Sequence, residues 1–158
     1  MTPIQKTVCM IALGAGIAAT TAFAQGEADK ARADAVSARH AQMQMVGYHT
    51  GVLGGIAKGE VAYDSAVVDA AAQNLVALSG MKHATLWIAD TEQGAVEGSR
   101  AKPEIWTDRA GFEAKFEDLS TAAQSLVGAA DAAAVGAGMA ALGESCKACH
   151  ETYRGPRT

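Results

Sequence analysis

The sequence predicts an all-α fold, an antiparallel four-helix bundle, and three observations carry that prediction. Apolar residues recur at steps of three and four in four separate stretches, the period of helices with one buried face. The alternation of a half-buried strand is hard to find anywhere. After residue 3 the only prolines are Pro103 and Pro156, while alanine is abundant. Bundles of this kind commonly hold cofactors in their interior.

The first 24 residues stand apart from the helices. Lys6 supplies a basic start, residues 7–19 are almost wholly apolar or small, and Ala22-Phe23-Ala24 is a small-x-small site. This is the three-part pattern of a secretory signal with cleavage after Ala24. As a membrane anchor the stretch is short and rich in Gly and Ala. Cys9 falls inside the segment to be removed. Residues 25–158 then make one four-helix domain, long enough for a single core. No later segment is apolar enough to span a membrane, so the mature chain is expected to be soluble in the periplasm.

The first helix is expected from about Glu27 to Lys58. Val36, His40, Met43, Gly47, Thr50 and Gly54 share one of its faces. The small residues there invite close approach of something bulky, a neighbouring helix or a ligand. Gly59 in Lys58-Gly59-Glu60 suits a left-handed cap. The second helix opens at Asp64 as N-cap and carries Val68, Ala71, Leu75 and Leu78. Ser79-Gly80 ends or interrupts it, and Thr85 to Ala89 can add a turn or two. A linker follows over residues 90–102. The third helix opens at Pro103, where a first-turn proline is tolerated, with Glu104 and Asp108 complementing the helix dipole. Ile105, Phe112, Phe116, Leu119, Ala123 and Leu126 form its stripe. The fourth runs from about Asp131 to Arg154, with Val135, Met139, Leu142, Cys146, Cys149 and Tyr153 on one face, and Gly155-Pro156 stops it.

Charge and chemistry exclude some functions. A formal net charge of −4 argues against nucleic-acid binding, which needs concentrated Lys and Arg to neutralise phosphates. No nucleophile–base pair or acid–base dyad points to an enzyme.

With Cys9 removed, the remaining cysteines lie in Cys146-Lys147-Ala148-Cys149-His150. Cys-x-x-Cys-His is the attachment signature of c-type haem. Residues three apart share a helix face, so both sulfurs reach neighbouring vinyl groups on one porphyrin edge, and His150 brings its imidazole under the iron. A zinc site would need two further ligands. A thioredoxin-like pair normally opens a helix after a strand, where the dipole lowers the thiol pKa. A disulfide this short would staple almost nothing and leaves His150 unexplained. Export favours haem, which is attached in this way outside the cytoplasm. Arg154 lies one turn after His150. It is either a cation suited to a helix C-terminus or a charge beside the imidazole and the haem edge.

The chain resembles the class II cytochromes c, the family of cytochrome c′ and its low-spin relatives. The resemblance rests on Cys-x-x-Cys-His near the C-terminus followed by Tyr153-Arg154, on Pro103-Glu104-Ile105-Trp106, on Lys58-Gly59-Glu60, and on Arg39 with Met43 four later. It implies a periplasmic four-helix bundle, often a homodimer, with one haem c attached through Cys146 and Cys149 and His150 as proximal ligand. It also implies Arg154 on the proximal face, Arg39 near a propionate, and Trp106 packed around the haem. The stretch "GMKHATLWIADTEQGAVEGSR" departs from the family pattern, so the course of that linker is not implied.

Met43 matches the position facing the distal side of the iron. A thioether coordinates haem iron well, but a methionine at helical spacing also simply fills core. With ligation, the protein is an electron carrier serving redox partner proteins. Without it, the iron is five-coordinate and binds NO or CO at a site blocked by Met43. A haem-free interaction bundle is the third reading. His40 and His49 are read as surface or rim residues, and His83 sits in a loop with no evident partner.

Overall fold

The computed structural model describes the backbone of residues 4–157 and the side chains of residues 24–157. The export-signal reading of residues 1–24 therefore lies, apart from Ala24, outside the residues whose side chains are described. Among the described residues five helices follow one another: α1 (Ile4–Ala57), α2 (Ser65–Ser79), α3 (Glu104–Thr107), α4 (Arg109–Gln124) and α5 (Ala132–Tyr153). The four long ones form a bundle, with α1 against α2 and α5, and α4 against the same two. Among the described residues no helix is long and apolar enough to cross a membrane.

Local chemistry sets the helix ends. Gly59 takes φ 72° after α1. Its N–H donates to the Ile56 carbonyl at 3.0 Å and that of Glu60 to the Gly55 carbonyl at 2.9 Å. This paired closure of orphan carbonyls requires a left-handed residue, which glycine adopts without a Cβ clash. The Asp64 carboxylate accepts from the N–H groups of Ala66 and Val67, and the Asp131 carboxylate from Ala134. Each cap of this kind contributes about 1 kcal/mol.

The main core is where the stripes meet. Leu53 and Ile56 of α1, Val68 and Leu75 of α2, and Val135 and Leu142 of α5 are fully buried, and Leu126 joins them just beyond α4. Each such side chain stabilises the fold by about 1.5–3 kcal/mol. A smaller cluster of Ala101, Ile105, Phe112, Phe116 and Tyr153 forms a second centre, with Met43, Trp87, Trp106 and Cys149 at its edge. That cluster positions the functional site.

Two sequence expectations are corrected, the continuity of the third helix and the exposure of His49. The third helix is not continuous from Pro103: it breaks at Asp108, which ends α3 and caps α4 with φ −124° and ψ 60°. Asp108 accepts from the Gly111 N–H at 3.1 Å and from the Tyr153 hydroxyl at 2.7 Å, so its carboxylate complements the N-terminus of α4 and also makes a tertiary contact. The turn expected at Thr85 to Ala89 is present as a single one, in which the His83 carbonyl accepts from Leu86 and Trp87. His49 is buried, because it shares the core-facing stripe of α1 with Val46 and Leu53.

Candidate haem site

The face of α1 carrying Val36, His40, Met43, Gly47 and Thr50 does not enter the main core. It lines a cavity of about 490 Å³, within the range of cofactor clefts. Cys146, Cys149 and His150 of α5 line the same cavity. Phe112 and Phe116 of α4 and Ala101 and Trp87 of the linker complete the apolar walls. The small side chains of α1 thus leave room for a ligand.

The C-terminal end of α5 is anchored by the linker. Lys102 N–H donates to the Tyr153 carbonyl at 3.0 Å, and Gly155 N–H to the Arg100 carbonyl at 2.7 Å. Arg100 returns two guanidinium donors to the Gly155 carbonyl, at 3.0 and 2.6 Å. With the Tyr153–Asp108 bond, these contacts hold the turn bearing His150 against α3 and α4.

Burial controls the chemistry of the three motif residues. It pushes the Cys149 thiol up to about 11, with the neighbouring Cys146 adding to the shift, and it raises Cys146 as well. Both sulfurs are therefore neutral at pH 7, the state suited to thioethers rather than to a thiolate nucleophile. His150 is shifted downward by burial first, then by Arg154 and Arg100. Its imidazole stays neutral and keeps a lone pair for a metal.

Arg39 is 4% exposed and lies on the cavity wall. Its Nη2 donates to the Thr91 carbonyl at 3.0 Å, and its guanidinium sits 4.6 Å from the centre of the Trp87 ring. Its Nη1 has no hydrogen-bond partner, and burial pulls its pKa down to about 10. A buried cation with a spare donor favours an anion beside it. Two neutral thiols, a neutral imidazole, apolar walls and this cation suit a haem with its carboxylates. Among the described residues, no three His, Cys, Asp or Glu side chains converge to hold a bare ion.

Arg39, Met43, Cys146, Cys149, His150 and Arg154 all line the cavity, as the sequence reading brought together. Trp106 does not. Its Nε1 donates to the Trp87 carbonyl at 3.2 Å from one layer behind, and Trp87 takes the wall. Sequence reasoning missed Trp87 and Arg100, which lie in the non-periodic linker. It placed Phe112, Phe116 and Tyr153 on buried stripes without giving them to the site. His40 stands exposed on the cavity lining, whereas His83 stacks on Phe116 with ring centres 4.1 Å apart.

A Cys-x-x-Cys-His helix end facing an apolar cavity between four helices defines a class II c-type cytochrome. The family model described as Cytochrome C′ matches residues 34–154, and the chain belongs to that family, with one haem c attached through Cys146 and Cys149. Cytochrome c-554 of Cereibacter sphaeroides is 39% identical over 121 residues, covering 75% of this chain and 91% of that protein. A solved cytochrome c′ from Rhodobacter spheriodes superposes with a TM-score of 0.75 at 34% identity, covering 80% of this chain and 98% of that one. A nitric oxide complex of a mutant cytochrome c prime from Alcaligenes xylosoxidans has a TM-score of 0.68 at 32% identity, covering 80% and 97%.

Proposed function

We propose that this chain is an exported electron carrier in which His150 is the proximal ligand of the haem iron and Met43 the sixth. Residues 1–24 direct it to the periplasm and are removed there. The observation that carries the reading is the place of Met43: half-buried on α1, packed against the same cluster as Cys149, and lining one cavity together with His150 of α5. His40, the other α1 side chain able to ligate from that wall, lies exposed beside Gly98 at the cavity edge.

The bound haem supplies one-electron chemistry, and a Met/His ligand pair raises its potential. The protein's own residues do the rest. Phe112, Phe116 and Trp87 line the cavity with apolar surface, which lowers the local dielectric and strengthens charge interactions beside it. Arg39, held by Thr91 and Trp87, offers its spare donor to a carboxylate. Burial, aided by Arg154 and Arg100, holds His150 below the usual imidazole range, and the two arginines bring positive charge to the cavity lining. Redox partner proteins exchange electrons at that edge. A homodimer through α1 and α2 fits the exposed Met45, Tyr48 and Val67 on those helices.

The second reading, NO or CO binding by five-coordinate iron, is supported by the nitric oxide complex of the Alcaligenes relative. Met43 then fills the distal space without bonding. The optical spectrum of the native ferric protein separates the two. Electron transfer with methionine ligation gives a low-spin spectrum with a methionine-to-iron charge-transfer band. A high-spin ferric spectrum, with NO or CO binding that displaces no protein ligand, rejects it in favour of the gas-binding reading.

A further inference from the structure

The chain is acidic, with a formal net charge of −4, yet its free positive charge is not evenly spread. Lys30, Arg32, Lys58, Lys102, Arg109 and Lys115 each pair with a carboxylate. Among the described residues, Arg39, Lys82, Arg100, Lys147, Arg154 and Arg157 have no such partner, and of these Arg100, Arg154 and Arg157 gather where the linker meets the C-terminal segment. Arg100 and Arg154 line the haem cavity, and the C-terminal segment ties them together, since Ala101 bridges to Arg154 and Gly155 bonds to Arg100. Arg157 and Arg154 are exposed. Gly155 and Pro156, the residues between them, accept from the Arg100 guanidinium, which ties both to Arg100; burial first, then their charges, lower the pKa of Arg100.

Like charges held together cost stability in an isolated molecule; Arg100 anchors the C-terminal segment through Gly155 and Pro156, but that anchoring does not require charge on the exposed Arg154 and Arg157 beside it. Their position answers the question of use. Arg100 and Arg154 line the cavity that would hold the haem, with Arg157 next to them, and the rest of the molecule is net negative. A locally positive mouth on a negative protein steers an anionic surface to one orientation.

We propose that the cavity mouth is a docking face for an acidic surface patch on a partner redox protein, with Arg100, Arg154 and Arg157 as its cationic contacts. The inference rests on the electron-transfer reading for its purpose, but not on Met43 ligating the iron. In the exchange one electron passes from ferrous haem to the acceptor, leaving ferric haem, with no bond or proton transferred.

The test is stopped-flow oxidation of the ferrous holoprotein by ferricyanide across a series of salt concentrations. If net charge governed the encounter, two negative reactants would react faster as salt rises. The arginine face predicts the reverse: a rate falling about tenfold from low to high salt, as screening removes local steering. Arg154→Gln with Arg157→Gln should flatten or invert that dependence. Lys30→Gln with Lys58→Gln, which changes net charge equally, should leave it falling. Polyglutamate at low salt should slow the reaction, and polylysine should not. A ferricyanide rate that rises with salt in the native protein overturns the proposal. So does a correct salt dependence on which polyglutamate has no effect, because the face would then admit small anions but not an acidic macromolecule. The direction of the salt effect is read independently of spin state, so failure here is distinct from failure of methionine ligation.

Discussion

Phe112 joins the cavity wall to the bundle, and truncating it should show how much of the site is built by packing. The residue is 1% exposed. Its ring centre lies 4.7 Å from Trp87, 5.3 Å from Tyr153, 5.4 Å from Phe116 and 5.9 Å from His83. Phe-to-Ala changes in cores cost about 3–5 kcal/mol, depending on how far the surroundings collapse. Here the neighbours are rigid rings held from three segments, the turn of His83 and Trp87, α4 itself and α5, so collapse is restricted and about 4 kcal/mol is expected. That is a large share of the ~5–15 kcal/mol that holds a domain folded. Urea denaturation of the haem-loaded protein, followed by far-ultraviolet circular dichroism, measures it. The thioethers keep the haem on the unfolded chain, so its loss does not complicate the equilibrium. Phe112→Leu should lose distinctly less, since it refills most of the space. A loss below about 1 kcal/mol for Phe112→Ala, close to that of a surface change, would refute the packing argument.

Two further outcomes follow from the same contacts. The Tyr153–Asp108 hydrogen bond holds the Asp108 carboxyl below its usual range and pushes the Tyr153 phenol up to about 12. A depressed carboxyl contributes stability above its unfolded pKa of about 4 and loses it on acidification. A raised phenol contributes stability below its unfolded pKa of about 10 and loses it as pH climbs towards its folded value. Urea midpoints measured against pH should therefore fall at both ends, and Tyr153→Phe should flatten both limbs. Glycines of α5 should respond with opposite signs. A Cβ on Gly138 would stand 2.8 Å from Cγ of Leu126, which is fully buried and cannot swing away. Gly138→Ala should cost about 1–3 kcal/mol. Nothing lies near a Cβ on the exposed Gly143, so Gly143→Ala should stabilise the helix by about 0.5–1 kcal/mol. Thermal melts of the two variants check both signs.

The parts of the fold legible in the sequence are those fixed by local chemistry. Asp64, Asp131 and Gly59 act where their side chains, or the lack of one, act on adjacent backbone. The pairing of Cys146 and Cys149 on one helix face follows from helix geometry alone. The α1 face with Met43 was also legible as a face, although sequence could not say whether a helix or a ligand lay against it. The illegible parts depend on distant partners. The break at Asp108 leaves the seven-residue step from Ile105 to Phe112 intact, so periodicity runs straight through it. What favours the break is a hydroxyl 45 residues away. Trp87 reaches the cavity because Arg39 and Trp106 hold its loop, and no periodic pattern marks such contacts. His83 has a stacking partner on α4 for the same reason.

Replacing Met43 by leucine tests the central claim most directly. Leucine conserves the apolar volume but has no donor atom, so packing is kept while ligation is lost. The ferric spectrum of the variant should lose the methionine-to-iron charge-transfer band and become high-spin, and its reduction potential should fall below that of the native protein. A Met43→Leu spectrum indistinguishable from the native one would contradict the account, because Met43 would then only fill the distal space.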